Sequence, residues 1–254
     1  MLRLLNIEWL KIKKYKAFII ISILFILGIV LINFLVYTVF NNLTKSYRAE
    51  SDMLLQSFKP YGFEHVWQTV SYVSGYTLIL PAILLVILVT NEYAFKTHRQ
   101  NVIDGWSREA FHGIKIMGAV LFAVLATLMV ILTGLIFGFS VGGHFSMNGF
   151  DHVGYFFLKT LTYNLLAVLI SIWIKRTGIA IAVYFVYLVI ENFISQLLLF
   201  FSFYIKSKSQ IDLGNLGDYL PMNASDGLLT FPDNPLKSMT NDVFPTSYHG
   251  VSIL

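Results

Sequence analysis

Residues 91–115 read NEYAFKTHRQNVIDGWSREAFHGIK. The stretch is polar and mixed in charge, and it separates two apolar runs, 67–90 and 116–139. Each flanking run is long enough to cross a bilayer, and the insert between them is not apolar enough to do so. Two apolar runs joined by such an insert read as two membrane helices that present a polar segment on one side.

Working outward, three further runs have the same character: 17–40, 153–174 and 178–201. As helices the five runs measure about 33–36 Å, against a hydrocarbon core of about 30 Å. Lipid offers no partner to a backbone N–H or C=O, so a spanning segment must be a helix or part of a closed barrel. The runs are continuous rather than alternating, which selects helices. Composition agrees. The chain is 56% hydrophobic and 13% charged, where a soluble domain is about a quarter charged. Its mean hydropathy is +0.69. The absence of cysteine excludes disulfides and thiolate metal sites.

The basic residues set the expected topology. Residues 1–16, 91–115 and 175–176 together carry 11 Lys and Arg, against six in 41–66, 140–152 and 202–254. The second group also carries nine acids. The basic side is therefore expected to be cytoplasmic, with the N-terminus inside. Trp9, Trp106 and Trp173 fall near the inner boundary, and Trp67, Tyr72 and Tyr204 near the outer one. Amphipathic rings favour those levels. The first run is too long for a cleaved signal and is expected to remain as an anchor.

Residues 2–16 place Leu2, Leu5, Trp9 and Ile12 at helical spacing with lysines elsewhere, which predicts an amphipathic helix on the inner surface. The second span has a semi-polar outer half (Ser71 to Thr77) and then Pro81, which predicts a kink. That half either lines a cavity or packs on a neighbour. Gly134, Gly138 and Gly142, with Ala119 and Ala123, form a small-residue stripe suited to close helix packing. Gly138–Gly142 also spells G-x-S-x-G around Ser140, with His144, Asp151 and His152 nearby. A nucleophile elbow needs a strand-to-helix turn, and this motif ends a membrane helix. An intramembrane serine hydrolase at Ser140 is the alternative to be tested.

Glu191 and Asn192 lie mid-span. Fifteen Ile, Leu, Val and Phe residues in 178–201 contribute about −7 kcal/mol, which outweighs an ionisable residue at about 2.5–3.5 kcal/mol. The span should insert with Glu191 facing protein. Lys159 sits at a nearby depth, and a Glu191–Lys159 pair is expected. Residues 202–254 are too polar to span and are expected outside. Two sequons, at Asn42 and Asn223, are short matches that carry no weight.

There is no phosphate-binding G-x-x-x-x-G-K-[ST], no H-E-x-x-H and no metal-ligand spacing of histidines. Any energy source must lie in a partner or an ion gradient.

The order of features resembles the permease subunit of an ABC-2 type transporter. The carriers are the basic N-terminal helix, the second span ending in Asn91-Glu92, the run Thr97 to Arg108, then Phe111 and Lys115. The run resembles the family's E…T-x-R-x…S-R…F…K pattern, and more closely the permeases of Bacteroidetes-type bacteria. The resemblance covers most of residues 1–201. It implies an all-α polytopic fold with a cytoplasmic coupling helix between spans two and three. That helix would dock on a separate ATP-hydrolysing subunit through Glu92, Arg99, Asp104, Ser107 and Arg108. The exposed apolar residues Val102, Ile103, Trp106 and Phe111 suit such a surface.

The resemblance further implies that ATP and Mg bind on the partner, with no cofactor or enzymatic activity in this chain. A second permease subunit, identical or homologous, would complete the pathway in a bacterial inner membrane, and no nucleic acid is involved. The family pattern has six spans and five are visible here. The sixth is implied by the family but absent from these residues, so that either the sequence ends before it or the product is truncated, and residues 202–254 are expected to include the short re-entrant helices that precede it in the family. The implied function is export of an amphipathic substrate: a lipid, a peptide or a glycolipid. A non-transporting scaffold or sensor using the same ATPase is a further alternative.

Overall fold

The described residues fold as four long apolar helices and one bent helix pair. The computed structural model describes residues 8–46, 59–97, 100, 103, 107–142, 144–209 and 214–232. Within these, α1 covers residues 8–12 and α2 runs Lys16–Ser46. Next come α3 (Val66–Gly75), α4 (Ile79–Ala94), α5 (Arg108–Val141), α6 (Asp151–Ile174) and α7 (Thr177–Ser209). A 3-10 turn at Leu216–Tyr219 and the short α8 (Pro221–Gly227) close the described chain. No strand occurs among the described residues. Four helices are long and apolar enough to cross a membrane, and the α3–α4 pair makes a fifth candidate.

α3 and α4 meet at an angle of 47°. The cause is Pro81, which cannot donate to the carbonyl four residues back. The chain tightens ahead of it: Leu80 N–H donates to the Thr77 carbonyl at 3.1 Å, and the Thr77 hydroxyl donates to the Ser74 carbonyl at 2.8 Å. The semi-polar half of this pass packs on neighbours. Ser71 and Ser74 are fully buried, and Ser74 accepts from Asn33 of α2 at 3.0 Å. Asn33 also donates to its own Ile29 carbonyl at 2.8 Å. Tyr61 donates to the Asn33 backbone carbonyl at 3.0 Å. A buried amide that is satisfied on every side fixes how α2 and α3 register.

The small-residue stripe works as packing at two positions. A side chain added at Gly138 would start 2.7 Å from the Phe63 ring, and one at Gly134 would start 3.0 Å from Trp67. These glycines are the seats for two aromatic rings, Phe63 just ahead of α3 and Trp67 in its first turn. Gly142 is different: it has a positive φ of 76° at the end of α5 and meets nothing. It ends the helix rather than packing, because that backbone conformation favours a residue without Cβ. Ala119 and Ala123 are fully buried, and Asn164 of α6 donates to the Ala119 carbonyl at 3.2 Å.

Several helices outrun the expected spans. α5 begins at Arg108 rather than 116 because Ser107 caps it: the Ala110 N–H donates to the Ser107 hydroxyl oxygen at 3.0 Å. Glu109 in its first turn suits the positive end of the helix dipole. At 34 residues, α5 is about 51 Å long, well over the thickness of a hydrocarbon core of about 30 Å. The surface helix is shorter than expected at its C-terminal side. It gives way to a turn at residues 13 and 14, and α2 starts afresh at Lys16.

Candidate functional site

The basic end of the molecule is held by a buried ion cluster. Glu8 comes from α1, Glu92 from the last turn of α4 and Lys115 from the third turn of α5. The Lys115 Nζ donates to Glu92 Oε1 at 2.6 Å and to Glu8 Oε2 at 2.7 Å. Lys11 donates to Glu8 Oε1 at 3.1 Å and lies 3.8 Å from Glu92 Oε1. Two carboxylates and two ammonium groups balance, which is the condition under which charges tolerate burial. The Lys115 side chain is only 6% exposed. Burial pushes the Glu8 carboxyl up, but the ammonium groups of Lys115 and Lys11 more than offset this and hold it below the usual carboxylate range.

Neighbouring contacts extend this base. Asn91 donates to the Tyr15 hydroxyl at 2.8 Å, tying α4 to the segment between α1 and α2. Phe111 packs edge-on against Tyr93 at 6.0 Å, and Lys115 lies 5.2 Å from its ring centre. The hydroxyls of Thr90 and Thr177 are 2.8 Å apart and bring in the start of α7. Lys175 takes up a left-handed conformation at the end of α6 and stands over the Tyr93 ring at 5.7 Å.

The residues expected at a docking surface separate into three groups. Glu92 is buried in the ion cluster and faces inward, so it supports the insert rather than presenting a surface. Ser107 is the N-cap of α5. Arg99 and Asp104 lie outside the described residues, as does the side chain of Arg108. Among the apolar candidates, Ile103 is helical and 78% exposed. Phe111 corrects the expectation: it is buried, because Tyr93 and Lys115 cover it. Val102 and Trp106 lie outside the described residues. Phe95, not singled out from the sequence, ends α4 and is 75% exposed. Glu8 was also missed, although an acid three residues before Lys11 was a readable signal.

At the other end, the expected Glu191–Lys159 pair does not form. Lys159 instead pairs with Asp226 of α8, Nζ to Oδ1 at 3.1 Å. The Tyr163 hydroxyl also donates to Asp226, at 3.0 Å. Glu191 accepts two backbone N–H bonds, from Met222 at 2.6 Å and Asn223 at 3.0 Å. The physical reason is proximity: residues 216–227 fold back against α6 and α7 and bring partners closer to each charge than the charges are to one another. Glu191 faces protein, as expected, and is 3% exposed. Asn192 is exposed and donates to the Leu188 carbonyl of its own helix at 2.9 Å.

The Ser140 hydroxyl donates to the Ile136 carbonyl one turn back, at 2.6 Å. His152 Nδ1 lies 3.1 Å from the Gly149 carbonyl and 3.3 Å from Asp151. Ser140 therefore sits on a continuous helix with its proton directed at the backbone, an arrangement unlike an activated nucleophile. No metal-holding group of three or more acidic or histidine side chains occurs among the described residues.

Comparison with family models, with curated proteins and with solved structures returns no match. Among the described residues the fold is all-helical, with four to five helices long and apolar enough to cross a membrane.

Proposed function

We propose that this chain is the transmembrane subunit of an ABC-2 type transporter, driven by ATP that a separate subunit hydrolyses. The basic end lies in the bacterial cytoplasm, and the polar insert between α4 and α5 docks on the ATPase. The substrate is amphipathic: a lipid, a peptide or a glycolipid. A second permease subunit completes the pathway.

One observation carries this reading. The insert bears exposed apolar residues, Phe95 and Ile103, and the helices on either side of it are joined to α1 by an ion-paired base. Exposed apolar side chains at the polar end of a membrane protein suit a protein partner. The base gives that partner a rigid handle, so that movement of the insert moves two membrane helices together.

The test is affinity purification of the full chain from its native host in mild detergent, followed by identification of what accompanies it. Recovery of a Walker-A ATPase with the native chain, and its loss with Ile103→Glu, is expected. Normal recovery of a folded native chain without any ATPase overturns the reading. So does labelling that places residues 99 and 108 on the outer face. Substrate movement in vesicles containing both subunits separates a transporter from a scaffold that merely senses through the same ATPase.

A further inference from the structure

Beside the ion cluster a cleft of about 230 Å³ opens between α1, the start of α2, α4 and α5. Trp9, Ile12, Phe18, Leu85, Phe122 and Leu125 line it. Its charged lining residues are Glu8 and Lys115, which bond to one another at its end. Gly118 lies in the wall, and a side chain added there would meet nothing within 4 Å. Trp9, Leu121 and Leu125 stand exposed at the rim, so the cleft opens toward the surroundings of the helices rather than into the core.

Three observations select the occupant. The walls are apolar, and an apolar cavity of about 150 Å³ already stays dry and takes up benzene. Along α5 the lining runs from Ile114 to Leu125, about 17 Å of helix, close to half of a hydrocarbon core of about 30 Å. One leaflet has that depth. The segment that forms one wall is basic: residues 8–16 hold Lys11, Lys13, Lys14 and Lys16 against Glu8. Lys13, Lys14 and Lys16 are exposed, at the level where a headgroup lies.

We propose that this cleft is a binding site for one anionic glycerophospholipid. An acyl chain fills the space left at Gly118, and the phosphate meets the lysines of residues 13–16. The lipid wedges the surface helix against the spans. The proposal requires the chain to lie in a bilayer but does not depend on ATPase docking, and its test uses no ATPase.

The purified full chain is reconstituted in vesicles of phosphatidylcholine and phosphatidylglycerol. In separate arms, one or the other lipid carries a diazirine on its acyl chain. Cross-links mapped by mass spectrometry are expected at residues 8–12 and 114–125, above the level on the exposed face of α7 around Leu197 and Phe200. Gly118→Leu should bring cleft labelling down to that level without changing labelling on α7. Labelling by phosphatidylglycerol should exceed that by phosphatidylcholine. Lys13→Gln should cut this preference about fivefold while leaving the cleft intact. Cleft labelling equal to that on α7, or cleft labelling unchanged in a folded Gly118→Leu chain, overturns the site. Equal labelling by the two lipids overturns its anionic selectivity.

Discussion

Lys115 bonds to Glu92 at 2.6 Å across the two helices that carry the polar insert. The same ammonium reaches Glu8 at 2.7 Å. One side chain thus fixes the surface helix to the base of both flanking helices, and its removal strands two buried carboxylates.

Lys115→Met should therefore lower stability by roughly 3–5 kcal/mol, the usual cost of breaking a buried pair from one side. Thermal unfolding in detergent measures this. Adding Glu92→Gln to Lys115→Met should recover part of the loss, because it removes one uncompensated charge.

Acid should release the surface helix. The Glu8 carboxyl titrates below its ordinary value of 4.5, so its stabilisation is fully present above that value. It is lost as pH falls through the depressed folded value. The chain has no cysteine, so a single cysteine replacing exposed Leu10 can carry a spin label. Label mobility should rise as pH falls below about 4.5, and Glu8→Gln should remove that dependence.

The charge pairing at the far end makes a clear swap prediction. Exchanging the partners as Lys159→Glu with Asp226→Lys should restore much of the stability lost by either change alone. Exchanging Lys159→Glu with Glu191→Lys should restore nothing. Melting temperatures of the six chains decide it, and rescue by the second exchange would contradict the geometry.

Glycine positions in α5 should differ sharply. Gly138→Ala drives a methyl into the Phe63 ring and should cost about 1–3 kcal/mol. Gly118→Ala meets open space and should be neutral, or stabilising by up to about 1 kcal/mol through helix propensity. Unfolding measured side by side tests the contrast.

The passes of helix were legible because apolar runs of spanning length leave the backbone no other choice. The bend at Pro81 was legible for the same local reason. Helix ends were not, because they depend on caps such as Ser107 and not on where apolar residues stop. The Glu191–Lys159 expectation failed because depth along a helix says nothing of what a later segment brings alongside. Asn33 was not singled out in its apolar run, and its partners Ser74 and Tyr61 are distant in sequence. The polar stretch expected between two apolar helices lies between α4 and α5, but the sequence pattern gave no orientation for its side chains. That pattern did not separate the buried Glu92 and Phe111 from the exposed Ile103.

The two N–H bonds that settle Glu191 come from residues 31 and 32 positions later in the chain. During synthesis, α7 therefore enters the bilayer before its carboxylate has any of these donors. Until Met222 and Asn223 emerge, Glu191 lacks both of these backbone donors and must rely on other polar contacts, since an unsatisfied ionisable side chain at that depth is costly. The polar satisfaction of α7 is thus completed from behind, by a helix of only seven residues.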